Sequence, residues 1–155
     1  MVGRRLCGRL APMLSLIVPV FNERDAVEPT LHGLQRALAG LPGGWEIVVV
    51  DDGSTDGSGD AVRAMDLRDV RVVTHPQNLG NGASIKTGAR HARGDVLATV
   101  DADGTYPLED LPRLVAELDA SGADMVVGAR AQDGEHIPFS HQVAKSILVA
   151  CGQYL

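Results

Sequence analysis

The chain has 155 residues, 45% of them hydrophobic, which is the size of one domain able to bury its own core. Its formal net charge of −6 excludes electrostatic wrapping of nucleic acid, because no basic face offsets it. Aromatic residues make up only 3%, so the core must be built from Val, Leu, Ile and Ala. Cys7 and Cys151 lie near opposite ends in no metal-ligand spacing and read as reduced thiols of a cytosolic protein. Arg4, Arg5 and Arg9 are not followed by an apolar run long enough for a signal peptide, and the strand starting near Leu14 is too short to span a bilayer.

In chain order, the apolar run Leu14 to Val20 predicts a buried strand followed by a turn. Val27, Leu31, Leu34, Leu38 and Leu41 recur at spacings of four and three, an amphipathic helix stopped by Pro42-Gly43-Gly44. Glu46 to Val50 is a second strand. Asp51 to Asp56 makes a turn, with Ser54, Thr55 and Asp56 as candidate caps for a short helix through Met65. Val70 to Thr74 is a third strand, and 80–93 a helix closed by Gly94-Asp95. Val96 to Val100 is a fourth strand. Leu108, Leu111, Leu114, Val115 and Leu118 mark a helix ending at Ser121-Gly122, and 123–128 a fifth strand. Val143, Ile147 and Cys151 suggest a last helix, inside whose pattern the chain stops, so the C-terminal part of the domain is expected to be missing. The alternation of apolar strands and helices predicts an α/β domain over 14–155 behind a short N-terminal extension, 1–13. Its sheet would be mostly parallel and covered on both faces.

In such sheets ligands sit beyond the carboxyl ends of the strands. Three acidic strand ends fall there: Pro19-Val20-Phe21-Asn22-Glu23, Val50-Asp51-Asp52-Gly53-Ser54, and Asp101-Ala102-Asp103 after the fourth strand. Two carboxylates spaced i, i+2 at the end of a buried strand are costly without a cation. A divalent metal on oxygen ligands, itself clamping the phosphates of a nucleotide, accounts for them. It also lets a net-acidic protein bind an anion.

Together these segments resemble family 2 glycosyltransferases of the GT-A fold, and among them the dolichol- or polyprenol-phosphate sugar synthases. The matching blocks are Ile17 to Glu23, Glu46 to Ser54, Asn78-Leu79-Gly80-Asn81-Gly82, Gly94 to Asp103, and Val126-Val127-Gly128-Ala129-Arg130. The resemblance implies a Rossmann-like mostly parallel sheet and a donor site for a nucleotide diphosphate sugar, GDP- or UDP-linked. Pro19, Phe21 and Glu23 would line the nucleoside pocket, with Val50 and Asp52 beside the base and ribose. Asp101, Ala102 and Asp103 would meet the diphosphate, and Asp101 and Asp103 the metal, Mn2+ or Mg2+. Where the family often has Gln or His two residues past the second Asp, this chain has Thr105, a weaker ligand for a hard cation. Arg130, and Lys145 unless it is merely solvated, would contact the phosphate of a lipid acceptor. Lys86 and the five histidines read as solvated or packing residues.

The resemblance further implies inverting transfer of the sugar to a polyprenyl phosphate, with Asp103 and Arg130 as the catalytic pair. An acceptor already ionised at neutral pH needs no general base. The place would be cytoplasmic, at the inner face of a membrane. Two other readings stand beside it: a family 2 transferase with a polysaccharide, protein or small-molecule acceptor, and a nucleotide-binding fragment without turnover.

Overall fold

The computed structural model describes residues 11–128 and 147–151. Along the chain run β1 (Leu14–Val20), α1 (Val27–Leu38), β2 (Trp45–Asp51), α2 (Ser58–Ala64), β3 (Val70–Thr74), α3 (Asn81–His91), β4 (Val96–Thr99), a 3-10 turn (Leu108–Asp110), α4 (Leu111–Ser121), β5 (Met125–Gly128) and β6 (Ile147–Cys151). They build one six-stranded sheet in the order β3-β2-β1-β4-β6-β5. β3, β2, β1 and β4 pair in parallel, whereas β6 is antiparallel to both of its neighbours. This is the Rossmann-like, mostly parallel GT-A arrangement expected from the motifs.

The strands are apolar throughout because both faces are covered, and side chains alternate between the faces with period two. Leu14, Leu16, Val18 and Val20 of β1 join Ile47 and Val49 of β2 on one face. There they pack against the stripe Val27, Leu31, Leu34 and Leu38 of α1, Val62 of α2, and Leu111 and Leu118 of α4. Each such side chain, fully buried, contributes about 1.5–3 kcal/mol. Ile17, Val48 and Val50 point the other way, toward Val73 and Ala89, and α3 covers them. That contact is close. A Cβ on Gly88 would stand 2.4 Å from Ile17 Cγ2.

The expected last helix is corrected for Ile147 and Cys151, which lie on strand β6; Val143 lies outside the described residues. A spacing of four is even, so it serves one face of a strand as well as one face of a helix. The free edge of β4 decides, because its N–H and C=O groups need partners and β6 supplies them. Boundaries elsewhere shift slightly. α1 ends at Leu38, not Leu41, and β5 starts at Met125, not Ala123. α2 starts behind Gly57 rather than behind a side-chain cap; Asp56 accepts the Ser58 amide at 2.9 Å from one residue further out. Just before β1, the Met13 carbonyl accepts from the Val96 amide. Among the described residues no helix is long and apolar enough to cross a membrane.

From β1 the chain steps outward through β2 to β3, then crosses over to lay β4 on the other side of β1. The direction of winding thus reverses between β1 and β4. Beyond the carboxyl ends of those two strands the outgoing connections diverge and leave a crevice.

Candidate functional site

A cleft of about 350 Å3 opens at that crevice. Pro19, Phe21 and Glu23 enter it from the end of β1, Asp52 from the end of β2, and Asp101, Ala102 and Asp103 from the end of β4. Asn78, Gly80, Asn81 and Ser84 come from the loop before α3 and its first turns. Seven of the eight expected donor residues therefore share one cleft. Val50 does not line it, being fully buried against α3 in the second core. Thr105 does not line it either. Arg130 and Lys145 lie outside the described residues. A larger cavity of about 710 Å3 between α1 and the 3-10 turn shares Asp103 with the cleft.

The turns that carry these residues are stitched to one another. Asn22, in the left-handed region at φ 55°, donates its amide to Ser54 Oγ and accepts the Thr55 amide on Oδ1. The Glu23 amide donates to Ser58 Oγ at 2.9 Å. These bonds lock the end of β1 to the turn after β2 and leave the Glu23 carboxylate half-exposed in the cleft.

Asp52 is only 3% exposed and organises the wall opposite β4. Its Oδ1 accepts from His75 Nδ1 at 2.7 Å and from the Leu79 amide at 2.9 Å, and its Oδ2 from the Gly80 amide at 2.8 Å. Because an ionised carboxylate only accepts, His75 Nδ1 donates to it, and Nε2 pairs with the Thr87 hydroxyl at 2.9 Å. Burial alone would push the Asp52 carboxyl up; the bonds from His75, Leu79 and Gly80 outweigh it and hold it below the ordinary carboxylate range. Of about four lone-pair sites on a carboxylate, three are engaged and one on Oδ2 is left for a ligand. His75 had no signal in the sequence, since its partners lie 23 and 12 positions away.

At the other wall Val100 and Ala102 are buried, whereas Asp101 is half-buried and Asp103 exposed. Thr30 of α1 donates its hydroxyl to the Ala102 carbonyl at 3.1 Å and pins this segment from beneath. Tyr106 donates to Asp101 Oδ2 at 3.1 Å. Burial pushes the Asp101 carboxyl above its ordinary range; the Tyr106 hydroxyl opposes this, and the charge of Asp103 adds to it. The Thr105 hydroxyl and amide both donate to Asp103 Oδ1, at 2.7 and 2.9 Å, so Thr105 here orients Asp103. No cluster of three or more His, Cys, Asp or Glu suited to a metal occurs among the described residues. Two neighbouring carboxylates, one disfavoured as an anion by its own surroundings, still fit a hard divalent cation that would take its other ligands from phosphate oxygens and water.

The glycosyl transferase family 2 model matches residues 15–148, nearly the whole chain. The chain belongs to that family. Among curated relatives, dodecaprenyl-phosphate galacturonate synthase of Rhizobium johnstonii is 38% identical over 120 residues, 76% of this chain and 36% of the relative. Undecaprenyl-phosphate 4-deoxy-4-formamido-L-arabinose transferase of Salmonella choleraesuis is 35% identical over 137 residues, covering 86% and 41%. The family 2 chain thus spans well under half the length of these relatives. Among solved structures, mannosyltransferase PcManGT from Pyrobaculum calidifontis in complex with GDP-Man and Mn2+ superposes with a TM-score of 0.64 at 30% identity, over 74% of this chain and 34% of that one. S. aureus TarS 1-349 in complex with UDP-GlcNAc gives 0.64 at 25% identity, over 82% and 37%.

Proposed function

We propose that the protein takes a sugar from a nucleotide diphosphate sugar and transfers it, with inversion, to a polyprenyl phosphate. The observation that carries this is the gathering of Pro19, Phe21, Glu23, Asp52, Asp101, Ala102 and Asp103 around one cleft at the switch point of the sheet. The activities of the two curated relatives supply the acceptor class. In this reading the nucleoside lies between the ends of β1 and β2. There Phe21, an exposed apolar ring at 43%, offers a stacking surface, and Asp52 keeps one acceptor site. The diphosphate lies toward β4. Asp101 and Asp103 would hold Mn2+ or Mg2+, with Thr105 and Tyr106 orienting the two carboxylates. When bound, such a cation neutralises charge on the leaving diphosphate.

An acceptor phosphate oxygen forms the new bond to the anomeric carbon as the bond from that carbon to the diphosphate breaks. The acceptor is ionised before it arrives, so no proton has to be removed and no general base is needed. Arg130 and Lys145 would hold the acceptor phosphate, the planar fork of Arg130 being suited to two of its oxygens. A lipid acceptor would keep the protein working at a membrane surface.

Calorimetry with UDP and GDP in Mn2+ or Mg2+, repeated with chelator and with Asp103→Ala, tests the donor half. Binding should require the cation and should collapse in the variant; equal affinity under all conditions would remove the metal assignment. Transfer of a labelled sugar from its nucleotide to undecaprenyl phosphate, with wild type and Arg130→Ala, tests the acceptor half. Transfer should fall while donor affinity stays. Glycosylation of a hydroxyl acceptor in place of the lipid phosphate would put the polysaccharide, protein or small-molecule reading in its place.

A further inference from the structure

Ser84 sits in the first turns of α3, lines the cleft, and has no exposed surface. Its Oγ has no hydrogen-bond partner in the chain, although Ser15, equally buried, donates to Glu46 and accepts two amides. A buried hydroxyl with nothing to bond to is a standing penalty on the folded state. Alanine would fit the same helical position without that penalty, and with a better helix propensity. The hydroxyl lies in the wall built around Asp52. The Ser84 amide donates to the Gly80 carbonyl, and the Gly80 amide donates to Asp52 Oδ2. It is therefore on the β2 side of the cleft, across β1 from the Asp101 and Asp103 carboxylates.

We propose that Ser84 Oγ is a reading contact for the nucleobase of the donor, donating to a ring carbonyl or accepting from a ring N–H. The inference rests on the donor-site reading above. Two features of the wall favour a base over a phosphate. The diphosphate belongs with the cation at the far side of the cleft. Next to Ser84, Asp52 presents an acceptor-only group suited to ring N–H and unsuited to an anion. A hydroxyl, which both donates and accepts, complements it: uracil and guanine each place a carbonyl beside a ring N–H. The empty bond of Ser84 is then completed only when the nucleotide is bound.

The test compares wild type with Ser84→Ala in the full chain, using UDP, GDP and methylenediphosphonate with Mg2+, and thermal melting without ligand. For whichever nucleotide wild type prefers, S84A should weaken binding about tenfold, the worth of one hydrogen bond to a buried group. It should leave methylenediphosphonate binding unchanged and narrow the preference between UDP and GDP. The ligand-free variant should melt at the same temperature or higher, by about 2–5 °C. Unchanged nucleotide affinity in S84A overturns the assignment while leaving the donor site standing. So does a parallel loss for methylenediphosphonate, which would make Ser84 a phosphate contact, or a lower melting temperature, which would make the hydroxyl structural. Failure of wild type to bind any of the nucleotides with the cation overturns the donor-site reading itself, and the role of Ser84 with it.

Discussion

At the residue scale, Asp101, one of the two carboxylates proposed to hold the cation, would join cation binding to pH. Its carboxyl titrates above the ordinary value of 3.8, for burial, against the Tyr106 hydroxyl, and with Asp103 adding to it. A cation needs the ionised form, so affinity should weaken on acidification from a higher pH than an ordinary carboxylate would give. Tyr106→Phe removes the one contribution that lowers this pKa. The dependence should then move further up in pH, and Mn2+-dependent nucleotide binding at pH 7 should fall about tenfold, the usual effect of an outer-shell partner. Binding isotherms between pH 5 and 8 check both, and a profile identical to wild type would remove Tyr106 from the site. Asp52 gives the opposite case. Three hydrogen bonds hold its carboxyl down. Asp52→Asn turns one oxygen into an NH2 that faces amide donors, so it should weaken nucleotide binding at saturating cation and leave the cation requirement in place. Loss of the cation requirement with nucleotide affinity retained would reverse the roles assigned to the two strand ends.

At the element scale, α3 is held against the sheet by a missing side chain. Gly88→Ala would push a methyl to 2.4 Å from Ile17 Cγ2, and neither a helix nor a central strand can give way cheaply. The expected loss is about 1–3 kcal/mol, read as a lower urea midpoint with unchanged slope. The loop leading into α3 depends on Gly80 in a different way. Its φ of 90° with ψ of 157° lies in a region open essentially only to glycine, and that geometry aims its amide at Asp52. Across the cleft, α1 reaches under the acidic pair through the Thr30 hydroxyl bonded to the Ala102 carbonyl. Thr30→Val keeps the shape and strips the donor, leaving a buried carbonyl unpaired at about 1–3 kcal/mol. Cation affinity should drop together with stability, because both depend on where that segment sits.

At the scale of the whole molecule, a polar knot at the amino ends of the strands answers the polar cleft at their carboxyl ends. Buried Glu46 accepts on Oε1 from Ser15 Oγ at 2.7 Å and from the Arg93 amide at 2.6 Å, and pairs on Oε2 with Arg71 at 2.9 Å. It ties β1, β2 and β3 to the exit of α3. Burial pushes its carboxyl up, but the bonds from Ser15 and Arg93 and the charge of Arg71 outweigh it, and the net shift is down from 4.5. A depressed carboxyl stabilises the fold fully above its unfolded value and loses that contribution as pH falls through its folded value. Wild type should therefore lose stability progressively below pH 4.5, with Asp52 joining below 3.8. Glu46→Gln should be less stable by about 1–3 kcal/mol at pH 7, and the gap to wild type should close on acidification. Denaturant midpoints at pH 7, 4.5 and 3 would show it, and a constant gap would mean that the Glu46 charge contributes nothing.

The sequence by itself determined the strands, the helices that alternate with them, and the acidic residues at three strand ends. Those signals are local: an apolar run needs burial, and a carboxylate that ends it needs water or a cation. Glu23, Asp52, Asp101 and Asp103 were legible as strand-end carboxylates for that reason, whereas Pro19 and Phe21 came only with the family resemblance; the crevice follows from the winding of a parallel sheet. Only the tertiary structure decided what crosses between elements. It turned Ile147 and Cys151 from a helix face into a strand, because the edge of β4 had to be paired. It withdrew Val50 into the core, since period two points it at α3. It made His75 and Ser84 part of the wall around Asp52, through a crossover that brings α3 beside β1 and β2. A histidine and a serine carry no pattern in one dimension; their chemistry depends on which groups stand within 3 Å, and folding alone sets that distance.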